Sequence, residues 1–230
     1  MRRYLQFAAI LLLITGTAAT RADLFKHKDS KPKSNVEWMW QYSPPPADGR
    51  ENALVLDPHF RPFLDQYLTA PQTFWSQTPK PKSLAETALD YLSVPGKVLA
   101  DQDRYLTVTG CVFRFCPDRG LLFVDLGVPQ PLVVFAAINW IQQNKTPDQP
   151  GAEYTMWVFS NKTIDPDHIP PALTHSISRW TAEPPLGSKI LQTITNAILV
   201  DPDGKPHQIK PATIGANTLT EQQPEAKAKS

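Results

Sequence analysis

The sequence predicts an α+β domain with a central antiparallel sheet flanked by helices, and three observations lead there. Aromatic and aliphatic residues recur at helical spacing after Asp57-Pro58. A Ser-x-x-Glu capping box stands at Ser83–Glu86. Beyond Pro95-Gly96 the period changes, and apolar runs separated by turn residues read as strands.

Taken in order, Asp57 is positioned to cap the first helix and Pro58 to occupy its first position. Phe60, Phe63, Leu64, Tyr67 and Leu68 form the stripe that faces the core. Pro62 falls near the end of the first turn, where proline is best tolerated. The second helix runs from the capping box to about Leu92, and Pro95-Gly96 stops it. Lys97–Ala100 and Tyr105–Gly110 are read as strands around an Asp-Gln-Asp turn. Leu121–Leu126 is a central strand. Leu132–Trp140 fits a central strand or a buried helix, because periodicity alone does not separate them. Gly127–Pro131 is the turn between these runs, and Tyr154–Phe159 is a further strand. Pro170–Trp180 is expected to be a helix with Leu173, Ile177 and Trp180 on one side. Ile190, Ile194 and Ile198 also fit helical spacing, so 190–200 is read as a helix despite its β-branched content. Asp201-Pro202-Asp203-Gly204 is a strong turn.

The ends are read from composition. Arg2 and Arg3, the apolar run Phe7–Ile14 and the small residues from Gly16 to Ala22 form the three parts of a secretory signal peptide. The run is well short of the roughly 20 apolar residues that span a bilayer, so 1–22 is expected to be cleaved and no membrane span to remain. A periplasmic or secreted location follows. Residues 23–50 read as a flexible Pro/Lys-rich arm that docks through Trp38 and Trp40, 51–211 as one domain, and 212–230 as a disordered tail. Twenty-four prolines, about twice the usual frequency, imply long stiff loops. Losing residues 1–22 removes three arginines and no acid, which takes the formal net charge from +1 to −2. That balance lacks the basic surplus of a nucleic-acid binder.

Candidate chemistry is sparse. His27, His59, His168, His175 and His207 are scattered without zinc-motif spacing, and no phosphate-binding glycine loop or nucleophile elbow occurs. No metal, cofactor or enzymatic activity is expected. Asp165-Pro166-Asp167-His168 reads as a turn leading into a helix, since it lacks the ligand pattern of a calcium loop. Asp125 is either a buried functional carboxylate or a residue that ends a strand or pairs with a backbone group, the latter reading preferred. Asp118 and Arg119 complete the acidic and basic candidates for an enzyme of unrecognised type.

The sharper signal is Cys111 and Cys116. In an exported chain a thiol pair this close is expected to oxidise. So short a closed loop adds little global stability but stiffens its contents, Val112-Phe113-Arg114-Phe115. A preorganised loop loses less entropy on binding. An exposed Arg114 would offer paired hydrogen bonds to a carboxylate, with the phenylalanines filling an apolar cleft beside it. A glycoside hydrolase, with its two carboxylates, presents such a cleft. Recognition element and structural clip between two strands both remain open.

The run Tyr105-Leu106-Thr107-Val108-Thr109-Gly110-Cys111-Val112-Phe113-Arg114-Phe115-Cys116 resembles the inhibitor of vertebrate lysozyme (Ivy) family. That family carries a Cys-x-x-x-x-Cys loop, typically Cys-Lys-Pro-His-Asp-Cys, after a strand and before further strands. A preceding helix, a loop around Trp75 and a strand with Val98 and Leu99 are similar too, so the resemblance covers roughly residues 57–160. It implies an Ivy-like fold and insertion of the loop into a lysozyme active site. Arg114 stands at the family's histidine, and Val112, Phe113 and Phe115 replace its lysine, proline and aspartate. The resemblance thus implies a partner among lysozymes or other cell-wall glycosidases, with Val112, Phe113, Arg114 and Phe115 as the binding residues. A structural or interaction module of the cell envelope is the alternative.

Overall fold

The computed structural model describes residues 36–42, 53–71, 82–141, 146–147 and 149–219. All of them belong to the unit Pro32–Ser230. The expected signal peptide, residues 23–35 and 43–50 of the arm, the loop around Trp75 and the tail from 220 lie outside the described residues.

One seven-stranded sheet organises the unit, in the spatial order β1-β2-β3-β4-β5-β6-β7. Its strands are β1 (Val94–Asp101), β2 (Tyr105–Val112), β3 (Phe115–Asp125), β4 (Val133–Trp140), β5 (Glu153–Ser160), β6 (Thr193–Val200) and β7 (Pro206–Ile209). Helices α1 (Phe60–Tyr67) and α2 (Leu84–Tyr91) precede the sheet, and α3 (Pro171–Thr181) connects β5 to β6. The α+β class stands, but the sheet is mixed rather than antiparallel. β5 and β6 pair in parallel while every other pair is antiparallel. The reason is the connection: a parallel neighbour needs a crossover, and α3 supplies it.

The residues of β3 and β4 explain why this sheet is covered on both sides. Leu121, Leu122, Phe123 and Val124 are all fully buried, as are Val133–Ile138. In a pleated strand such a continuous apolar run needs a core on each face. Leu122, Val124, Phe135 and Ala137 share a core with Phe60, Leu64, Ala88 and Leu92 of the α1–α2 side. Leu121, Phe123, Val134 and Ile138 share the other with Leu173, Ile177 and Trp180 of α3. Leu132–Trp140, open between strand and helix from its sequence, is therefore a doubly buried strand.

Local signals place the helices. Ser83 Oγ accepts from Glu86 N at 3.1 Å, and Ser83 N donates to Glu86 Oε2 at 2.8 Å, which completes the capping box. The start of α1 is later than its sequence suggests. Asp57 does not cap: its carboxylate accepts from His59 N at 2.8 Å and from the Tyr42 hydroxyl, making a turn before the helix. These bonds, the Tyr42 one foremost, hold the Asp57 carboxyl below its ordinary range. They also tie down the 3-10 helix Glu37–Tyr42, which buries Met39 and packs Trp38 and Trp40 on the α1–α2 core. This part of the expected arm is docked.

Three further expectations are corrected. Pro95 and Gly96 do not end α2; they sit in β1, an edge strand whose register shifts between Pro95 and Val98. An edge tolerates proline because its outward N–H has no ladder partner. Residues 193–200 form β6, not a helix, because β-branched Thr193, Ile194, Thr195, Ile198 and Val200 suit a pleated surface. A register shift opposite Tyr154/Thr155 places Ile194 in the α3-side core and Ile198 against the α1–α2 side. The helical spacing of the two was coincidental. Nor does the fold stop at 211. A 3-10 helix, Pro211–Ile214, buries Ile214, and Ala216 follows it into the α3-side core, so the docked chain extends past Ala212.

Two glycines set how closely α2 approaches. Gly110 and Gly120 face each other across β2 and β3. A Cβ on Gly110 would lie 2.8 Å from Leu92 Cα, and one on Gly120 would lie 2.9 Å from Tyr91 Cβ. The end of α2 thus rests almost on the sheet backbone. Removing the cap that starts this helix, with Ser83→Ala, is expected to cost about 1 kcal/mol of stability in urea unfolding. No loss would show that packing alone holds α2.

Candidate functional site

The Cys111–Cys116 disulfide bridges β2 and β3 just below the turn of their hairpin. Cys111 pairs with Arg119, and after a register irregularity Val112 pairs with Phe115. Phe113 and Arg114 are left at the tip. Both are exposed, Phe113 at 63 %. The Arg114 guanidinium carbon lies 5.0 Å from the centroid of the Phe113 ring, a cation–π contact that keeps the two side chains together. Arg114 forms no ion pair with a carboxylate among the described residues. Its φ is 66°, in the left-handed region that a residue with a Cβ uncommonly adopts.

The tip is braced from below. Phe113 N donates to Ser93 Oγ at 2.9 Å, and the same hydroxyl donates to Asp90 O at 2.7 Å. Ser93 belongs to the short link between α2 and β1, so the position of α2 governs the position of the tip. Phe115 turns back and packs on Trp140, with ring centroids 6.2 Å apart. Of the four enclosed residues, then, Phe113 and Arg114 face outward, Val112 is half-buried against the α1–α2 core, and Phe115 is half-buried on Trp140.

Immediately after the loop, the two faces of β3 carry a half-buried acid and a buried base. Asp118 Oδ1 accepts from Trp140 N at 2.9 Å. Its Oδ2 lies 3.5 Å from the Tyr91 hydroxyl and 3.4 Å from Asn139 Nδ2, and that amide also donates to the Tyr91 hydroxyl. Burial outweighs these bonds and raises the Asp118 carboxyl above its ordinary range. Burial, and then the nearby carboxylate, raise the Tyr91 phenol as well. On the α3 side, Arg119 is buried, donates from Nη1 to Glu183 O at 2.8 Å and lies over the Trp180 ring at 5.0 Å. Burial pushes its guanidinium down to about 10, so it stays a cation at neutral pH.

Asp125 is not brought to this site. It closes the far end of β3, where Arg104 Nε and Nη2 each reach it at 2.7 Å and Gly127 N donates to it at 2.9 Å. The strand-end position and the backbone contact match the reading preferred from its sequence, whereas the ion pair with Arg104 does not follow from that reading. Asp165 accepts from Asp167 N at 3.0 Å and contacts His168 Nδ1 at 2.6 Å, a turn whose last residue, His168, lies three residues before the start of α3 at Pro171. Among the described residues no group of three His, Cys, Asp or Glu side chains could hold a metal ion.

Ser93, Tyr91, Asn139 and Trp140 support the loop without having been singled out from the sequence. The capping box that sets α2's start is the one local signal bearing on Tyr91 and Ser93. The other two are reached only through strand register. Comparison with protein-family models, with curated proteins and with solved structures finds no match to this chain. No helix among the described residues is long and apolar enough to cross a membrane.

Asp118 yields a pH test with a definite sign. Its folded pKa is raised, so the native state holds the proton more tightly than the unfolded chain. Its contribution to stability is full below the unfolded value of about 4 and is lost as pH rises through the raised value. Asp118→Asn lacks this loss. Across urea unfolding from acid to neutral pH, the stability of the variant relative to wild type is expected to improve as pH rises. A difference that stays flat would mean Asp118 is not held in its protonated form by burial.

Proposed function

We propose that this protein is an exported binding protein that blocks a lysozyme or another cell-wall glycosidase with the tip of its β2–β3 hairpin. The observation that carries the reading is the outward pair Phe113–Arg114 on a disulfide-closed turn, with a guanidinium that forms no ion pair within the described chain. Such a group, presented on a stiff support, suits a cleft containing carboxylates: the fork donates two parallel hydrogen bonds while the adjacent ring fills apolar space. The left-handed backbone at Arg114 supports the same reading. Glycine would take that conformation at less cost, so a long cation there is better explained by use than by folding. The resemblance to the Ivy family, at the cysteine spacing and strand order, points to the same class of target.

The alternative, an envelope interaction module with the disulfide as a clip, draws support from Phe115, which packs on Trp140 and so joins the loop to the sheet. Contact with a partner through Trp38 and Trp40 has less support, since both pack on the protein's own core.

The deciding experiment uses Arg114→Gly, which relieves the positive φ and is expected to leave stability unchanged or slightly higher. Against a panel of lysozymes, wild type is expected to inhibit at least one. Arg114→Gly is expected to weaken that binding by about 2 kcal/mol, roughly 30-fold in Kd. Absence of inhibition by wild type across the panel, or an undiminished effect of the variant, refutes the proposal.

A further inference from the structure

A second surface has a different chemistry. Beyond the cover of α2, the face of β4–β7 on the α1–α2 side forms an open groove of about 660 Å³. Strand register explains its lining. Asn139, Thr155 and Asn196 stand in one row across β4, β5 and β6. Trp157, Ile198 and Gln208 stand in the next, across β5, β6 and β7. Among the described residues that line it, none is ionisable.

We infer that this groove binds a neutral oligosaccharide. A pyranose ring has an apolar face of C–H groups and a rim of hydroxyls that donate and accept. The groove offers the complement of both. Trp157 is stacked on Phe159 at 14°, and Phe159 on Phe135 at 17°, so the indole ends a row of near-parallel rings rooted in the core. A ring so fixed is a platform that loses little freedom when covered. Around it, the amides of Asn196 and Gln208 each carry donors and an acceptor in one plane, and Thr155 adds a hydroxyl. The Asn139 amide is held from behind, its Nδ2 donating to Tyr91 and Asp118. Its Oδ1 is buried with no hydrogen-bond partner among the described residues, so Asn139 forms the fixed floor at this end of the groove.

Other occupants fit less well. Nucleic acid needs cations, and the described lining residues include none. An extended peptide would draw its affinity from main-chain groups at the sheet edge, whereas this surface presents side chains from strand faces. The groove adjoins the hairpin through Trp140, which borders it and also packs on Phe115. The inference does not depend on what the hairpin binds.

The test is calorimetric titration of the full chain with chitotetraose, cellotetraose and maltotetraose, with a heparin tetrasaccharide as the charged comparison. Binding of at least one neutral tetrasaccharide is expected, weakened roughly tenfold or more by the double change Asn196→Ala and Gln208→Ala. These positions lie outside both cores, so folding survives the change and is checked by circular dichroism. Trp157→Ala is expected to weaken binding further, and Arg114→Gly to leave it unaltered. Failure of all three neutral sugars to bind, indifference to the Asn196/Gln208 change, or preference for the heparin fragment overturns the inference.

Discussion

Burial of β3 and β4 on both faces is the constraint from which the rest of this structure follows. A strand with apolar residues at every position has no side to offer water, so helices must cover both faces. The chain meets this in two ways. Its first helices, with the 3-10 helix at Glu37–Tyr42, lie on one face before the sheet begins. α3 reaches the other by crossing over between β5 and β6, which makes that pair parallel. Fully burying aromatic side chains such as Phe123, Phe135 and Phe159 contributes about 1.5–3 kcal/mol each, far more than any exposed ion pair in the molecule.

The exposed hairpin depends on this core by a short chain of contacts. Gly110 and Gly120 admit the end of α2 close to the sheet. The link that follows then sets Ser93 beneath the Phe113 amide. The disulfide stiffens the turn locally, and Phe115 on Trp140 fixes its inner side. Rigidity at the tip thus comes from a helix end, a hydroxyl, a disulfide and an aromatic contact, each from a different stretch of chain. The proposed blocking role needs that rigidity, because an ordered tip loses less entropy when it enters a cleft.

β3 also separates two chemistries that adjoin in sequence. Asp118 and Arg119 are consecutive, yet successive side chains on a strand point to opposite faces. The acid meets Tyr91 and Asn139 under α2, and the base meets Trp180 and Glu183 O under α3. Their adjacency suggests an ion pair that strand geometry forbids. The same alternation puts Asn139 at the groove and Trp140 beside Phe115, so one strand end serves both candidate surfaces.

Local patterns were enough for much of this protein. The capping box set the start of α2, turn residues marked the chain reversals after Asp101 and at Asp201–Gly204, and a continuous apolar run marked the central strand at Leu121–Leu126, while Leu132–Trp140 stayed open to a buried helix. The loop between Cys111 and Cys116 was legible too, because disulfide closure and its four residues are local facts. Elsewhere local patterns misled. Isoleucines at helical spacing in 190–200 satisfied two periods, and only pairing with β5 decided for a strand. Tyr42, distant in sequence, drew Asp57 away from capping α1. The outward aim of Arg114, the bracing by Ser93 and the amide-lined groove were likewise decided by tertiary structure. Each depends on strand register and helix approach, which join residues far apart in the chain and leave no trace in the spacing of neighbours.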